Sequence, residues 1–284
     1  MDLTGRRKSS NVEDRRGKGG KIALGGGIGG VIIAAVIALL MGKDPSSALQ
    51  QLGETQQVSE TEFVPTEQEK ELELFASQIL ASTEDVWSAL FKKMGRTYEA
   101  PKLVLFKGSV QSGCGGASAS SGPFYCSADR SVYIDLDFFA DMQKTIGAGG
   151  DFAYAYVIAH EVGHHVQNLL GDLGTVHQKM AAASKTESNQ LSVRLELQAD
   201  FYAGVWAHNE NKMFGSLDDG DIEEAISAAG KIGDDYLQKK ARGYATPETF
   251  NHGTSAQRTR WLKKGFTTGD VRSGDTFSPA YSSL

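Results

Sequence analysis

The run AYVIAHEVGHHVQNLL, Ala155 to Leu170, sets one glutamate and three histidines in a largely apolar segment. A buried helix tolerates such groups only if each finds a partner, so their spacing limits what the segment can be. Residues four apart on a helix differ by about 40° of rotation, so His160 and His164 project from one face, one turn apart. Both imidazoles can then reach a single ion. Glu161 lies about 100° round from His160, poorly placed as a ligand but beside the position of a metal-held water. This HExxH spacing suits chemistry in which zinc lowers the pKa of water from 15.7 toward about 7, while the glutamate takes a proton and hands it to a leaving amine. His165 faces away from the His160/His164 seam and reads as a packing residue. Gly163 would weaken a helix, unless another segment approaches closely there.

A catalytic zinc site needs a third protein ligand and one open position. Downstream, RLELQADFYAGVWAH offers Glu196 and Asp200, four apart and on one face of an expected helix. Two facing helices would supply His160, His164 and Glu196 to one zinc ion. Asp200 has a different use: it can hold the second ring nitrogen of His160, or alternatively of His164, and so fix the tautomer that ligates.

Ile22 to Met41 carries no charge over twenty residues, enough helix to cross a hydrocarbon layer of roughly 30 Å. It reads as one membrane-spanning helix, with a cleaved signal as the rival reading. Arg6, Arg7, Lys8, Arg15, Arg16, Lys18 and Lys21 precede it, a bias that keeps the N-terminus cytoplasmic and puts the rest of the chain in the periplasm or outside the cell. Gly25/Gly29 and Gly26/Gly30 stand at small-xxx-small spacing, which would let two such helices pair into a homodimer. Cys114 and Cys126 close a glycine- and serine-rich loop and read as a disulfide in that setting. A net charge of -6, without a basic stripe, argues against nucleic acid as a partner.

The expected organisation is a basic tail over 1–21, the span 22–41, a polar tether over 42–66, a domain over 67–269 and a loose tail over 270–284. Within the domain, EQEKELELFASQIL and STEDVWSALFKKMG read as consecutive helices, the second capped by Ser82 or Thr83. KLVLF (102–106) and SVYIDLDFF (131–139) read as strands, the latter with one buried face. Helices are expected over 153–170, 191–206 and 221–241. The acidic SLDDGDIEEA run departs from the EF-hand order and reads as helix capping.

Together, GRRKSSNVEDRRG before an apolar segment, GPFYCSADRSVYIDLDFF, AHEVGHHVQ, ELQADFYAGVW and NHGTSAQRTRWLKKGF resemble the bacterial membrane-anchored neutral zinc metallopeptidases, over residues 5–21 and 67–269. These are of the gluzincin type, in which HExxH is followed by a zinc-binding glutamate in ExxxD. The resemblance implies an α+β, zincin-like domain with an active-site helix and a small sheet, acting on peptide or protein substrates. NHGTSAQRTRWL is also similar to the HP-x-x-x-x-R stretch of the CAAX endopeptidases, with glycine in place of proline. That likeness implies His252 as a hydrogen-bond donor to the oxyanion, at the family's separation from Arg258. By the same likeness SVYIDLDFF becomes the sheet edge that binds substrate as an added strand. The reading is a membrane-anchored zinc endopeptidase with Glu161 as general base. The alternative is a membrane-tethered binding or assembly factor that keeps the metal fold without turnover.

Overall fold

A computed structural model describes residues 1–17 and 63–284. The run 22–41, read as a membrane span, and most of the tether lie outside the described residues. Among the described residues, no helix is long and apolar enough to cross a membrane.

Helix α1 (Glu67–Lys93) opens on a capping box. The Thr66 hydroxyl accepts the Glu69 amide, and the Glu69 carboxylate accepts the Thr66 amide at 2.8 Å. The sequence suggests a break at Ser82 or Thr83, yet the helix runs straight through. Both residues are fully buried there. Thr83 Oγ1 donates to Leu80 O at 2.7 Å, and Ser82 Oγ accepts the Trp206 indole N–H at 3.0 Å. Burial thus gives both hydroxyls interior partners, which removes their incentive to cap.

Strands β1 (Val12–Asp14), β2 (Lys102–Phe106), β5 (Phe124–Cys126) and β6 (Ser131–Asp135) form a four-stranded sheet in the order β1-β2-β6-β5. β1, β2 and β6 run parallel, and β5 pairs antiparallel with β6. A separate hairpin joins β3 (Ser109–Ser112) and β4 (Gly115–Ser118). The Cys114–Cys126 disulfide ties the turn of this hairpin to β5.

Three sequence expectations for SVYIDLDFF fail. Its strand stops at Asp135, because that carboxylate accepts the Asp137 amide at 3.1 Å and the Gly108 amide at 2.8 Å, and helix α2 (Asp137–Ile146) begins there. Neither is it an edge, since β6 lies between β2 and β5. Leu103, Leu105, Val132 and Ile134 face the main core, while Val104, Phe106 and Tyr133 fill a smaller core with Val110 and Cys126. Both faces of β6 are therefore buried, and its polar positions do not mark a wet side.

The site is positioned by a stack of three helices: α3 (Asp151–Leu170), α5 (Lys185–Phe214) and α8 (Ser255–Thr268). Their backbones nearly touch at glycines. A methyl group at Gly163 would lie 2.9 Å from Ala199 O, and one at Gly265 would lie 2.0 Å from Phe201 O. The approach anticipated at Gly163 is thus made by α5. Around the stack, Phe152 and Trp206 lie ring on ring at 5.8 Å; burying each such side chain contributes about 1.5–3 kcal/mol.

Helix α4 (Asp172–Ala182) connects α3 to α5. The single helix expected over 221–241 is two, α6 (Asp221–Lys231) and α7 (Asp234–Arg242). Asp234 causes the break, because its amide donates to Gly253 O at 2.8 Å and its carboxylate accepts the amides of 251–253.

Both chain ends differ from the tails read in the sequence. Residues 1–17 contribute β1 to the sheet. Residues 270–284 pack down: Thr276 is fully buried, and Arg194 donates to Thr276 O, to Phe277 O at 3.2 Å and to Pro279 O at 3.0 Å.

Candidate metal centre

Helix α3 carries His160, Glu161 and His164, and α5 carries Glu196 and Asp200. The crossing at Gly163 brings the two sets together. His160 Nε2 stands 3.2 Å and His164 Nε2 3.5 Å from the two oxygens of Glu196. Donor atoms of these three residues all lie within 4.8 Å of one another. Ligands about 2.0–2.2 Å from a tetrahedral zinc are separated by about 3.3–3.6 Å, so donor type and spacing both fit that ion. Among the described residues this cluster has three members, which leaves a fourth position for water or substrate.

Each histidine is held from behind. His160 Nδ1 donates to Asp200 Oδ1 at 2.8 Å, which directs Nε2 toward Glu196. Asp200 is itself fully buried and fixed from two more directions. Arg258, from α8, donates to both of its oxygens at 2.8 and 2.9 Å, and the Tyr156 hydroxyl donates at 2.6 Å. His164 Nδ1 donates to Gln167 Oε1 at 2.8 Å. The Gln167 amide then donates to Leu195 O at 2.7 Å and Gln198 Oε1 at 3.0 Å, so its orientation is set by α5.

Charge balance in the cluster follows from these contacts. Burial alone would raise the Glu196 carboxyl, but His164, His252 and His160 hold it well below the usual range. Asp200 is likewise lowered, with Arg258 and His160 outweighing its burial. Burial would lower the His160 imidazole, yet Asp200 and Glu196 raise it to about 10. Glu161 is buried, and that burial pushes its carboxyl up.

The charge of His252 is among those that lower Glu196, though its own contacts are to Asp234. Asp234 holds it: one oxygen accepts the His252 amide at 2.7 Å and the other lies 3.3 Å from Nδ1. His165, by contrast, points away. Its Nε2 donates to Glu99 O at 2.6 Å and its Nδ1 accepts from the Tyr125 hydroxyl at 2.9 Å.

The sequence reading missed Tyr156, Gln167 and Asp234. Tyr156 stands four residues before His160 and Gln167 three after His164, so helical arithmetic alone places each beside one of the two histidines, Tyr156 serving His160 through Asp200. Asp234 leaves no such trace, because its contact with His252 spans two elements. A second acidic group, Asp151, Asp221 and Glu224, is met by the chain itself. The Met1 ammonium lies 2.7 Å from Asp151 and 3.2 Å from Asp221, and Glu224 accepts the Phe152 amide at 3.1 Å.

Comparison with known proteins agrees with this chemistry. Residues 1–277 match the family described as "Putative neutral zinc metallopeptidase". The uncharacterized protein YpfJ of Escherichia coli K12 is 49% identical over 98% of this chain and 99% of its own length. The uncharacterized protein Rv2575 of Mycobacterium tuberculosis H37Rv is 45% identical over 68% of this chain and 67% of its own length. No solved structure matches the chain. Membership implies a zinc cofactor, for which His160, His164 and Glu196 are the candidate ligands. The chain belongs to the neutral zinc metallopeptidase family.

Proposed function

We propose that the chain is a zinc-dependent endopeptidase whose ion is held by His160, His164 and Glu196. The observation that carries this reading is the convergence of two Nε2 atoms on one carboxylate, with Glu161 next to the first histidine and three protein ligands in the cluster. When bound, zinc polarises a scissile carbonyl and lowers the pKa of a water molecule. Glu161 accepts a proton and delivers it to the leaving nitrogen, a role that zinc binding alone does not require. His252, steadied by Asp234, donates a hydrogen bond to the oxygen on which charge develops. Arg258 and Tyr156 act through Asp200 by fixing the carboxylate that orients His160.

Substrate recognition also falls to a different strand from the one read in the sequence. Among the described residues β5 forms the sheet edge opposite β1, and Tyr125 in β5 is bonded to His165 of the metal helix. A peptide adding alongside β5 would be recognised through its backbone. Membrane attachment through 22–41 remains part of the proposal on the strength of its apolar sequence.

The test is cleavage of a peptide library by the full-length, zinc-loaded chain in detergent, beside Glu161→Gln. Turnover lost in that variant, with zinc retained, supports the mechanism. Full activity in it would sink the role of Glu161. No cleavage by the unaltered chain would favour the membrane-tethered binding factor.

A further inference from the structure

The segment before the apolar run is built into the fold. The Asn11 carbonyl accepts the Leu103 amide and the Arg15 amide donates to Leu105 O, both at 2.8 Å, so β1 completes the ladder of β2. Side chains of the segment also meet buried acids of the domain. Arg6 pairs with Glu210 at 2.9 Å, and that glutamate is fully buried. Ser9 donates to Glu84 at 2.5 Å and Asn11 donates to it at 2.8 Å, while Arg7 lies 2.9 Å from it. Arg16 binds Glu73. A carboxylate buried in this way needs its partners, so the domain surface is made to receive residues 6–16. Three of the arginines that would set orientation by the positive-inside rule are therefore engaged in ion pairs with the domain.

The two described ends flanking 18–62 are adjacent. A methyl group on Gly17 would lie 3.2 Å from Phe63 Cβ, and the Arg16 guanidinium lies 5.0 Å from the Phe63 ring centroid. Whatever path 18–62 takes, it starts and finishes at one place on the domain. A single crossing by 22–41 would leave the docked segment and the domain on opposite faces, about 30 Å of hydrocarbon apart. A return crossing would have to use 42–62, which contains Lys43, Asp44, Glu54, Glu60 and Glu62. Glu54 lies near the middle of that run, and a charge there costs on the order of 2.5–3.5 kcal/mol at the centre of a bilayer. We infer that residues 1–17 and the domain that carries the candidate zinc site occupy the same aqueous compartment. This inference is independent of whether the metal site turns over peptides.

Impermeant-maleimide labelling of Ser10→Cys and of Glu71→Cys, each in the full chain in intact cells and again after lysis, tests the compartment. Both positions are exposed, and the chain's two native cysteines are joined in a disulfide. Both sites labelled before lysis, or both only after it, is the expected result; one of each would overturn the inference. Docking is tested by melting the detergent-solubilised full chain. Arg6→Glu should lower Tm by roughly 5 °C or more, and adding Glu210→Arg should recover part of that loss. An unchanged Tm in Arg6→Glu would equally overturn it.

Discussion

At the scale of single residues, the supports behind the candidate ligands explain more than the candidate ligands do. An imidazole ligates only in the right tautomer and rotation, and here each takes both from a buried acceptor, Asp200 for His160 and Gln167 for His164. The Gln167 contact is the cleaner one to test, because Asp200 also anchors Arg258 across the helix stack. Gln167→Leu keeps the volume but removes the acceptor, and should weaken zinc binding by about 10–100-fold in competition with a chromophoric chelator. An unchanged affinity would mean that His164 needs no such hold. The convergence of the candidate ligands was legible in the sequence because a helix turns four-residue spacing into one face, and the same arithmetic reaches Tyr156 and Gln167. What it could not supply was a reason to choose them. A tyrosine or glutamine in a helix has many bland uses until the facing element is known.

At the scale of elements, local signals located most helices and strands but misplaced several boundaries. Ser82 and Thr83 look like caps, and only the pressure of α5 against α1 shows why they stay inside a helix. The break between α6 and α7 depends on Asp234 binding a loop that follows it by 17 to 19 residues, a contact with no local signature. Helix crossing is equally non-local. Gly265 looks like a weak point in α8, yet it is where that helix meets α5 at backbone distance. Gly265→Ala should therefore destabilise the fold despite its better helix propensity. Forcing a methyl group against Phe201 O costs about 1–3 kcal/mol, which lowers Tm by several degrees in a domain of this size. A Tm equal to or above that of the parent chain would show that the two helices can part freely.

At the scale of the whole molecule, the metal cluster exists only because separate parts of the chain meet. Its candidate ligands and their immediate acceptors come from α3 and α5, while α8 adds Arg258 and the loop after α7 adds His252. The pairing of the two site helices was legible in outline, whereas the docking of both chain ends was not, since three residues such as VED announce neither a strand nor a partner. An ion bound between elements binds the folded state and not the unfolded one, so it must raise stability by mass action. Zinc at 100 times its dissociation constant should add about 2.7 kcal/mol, or roughly 5–10 °C in Tm. That shift should vanish in His160→Ala and in His164→Ala, shrink in Glu196→Gln and persist in Glu161→Gln. Persistence in the histidine variants would place the ion elsewhere, and loss in Glu161→Gln would make that residue a ligand rather than a base. Because the measurement reads stability, it assigns these roles even before any substrate is known.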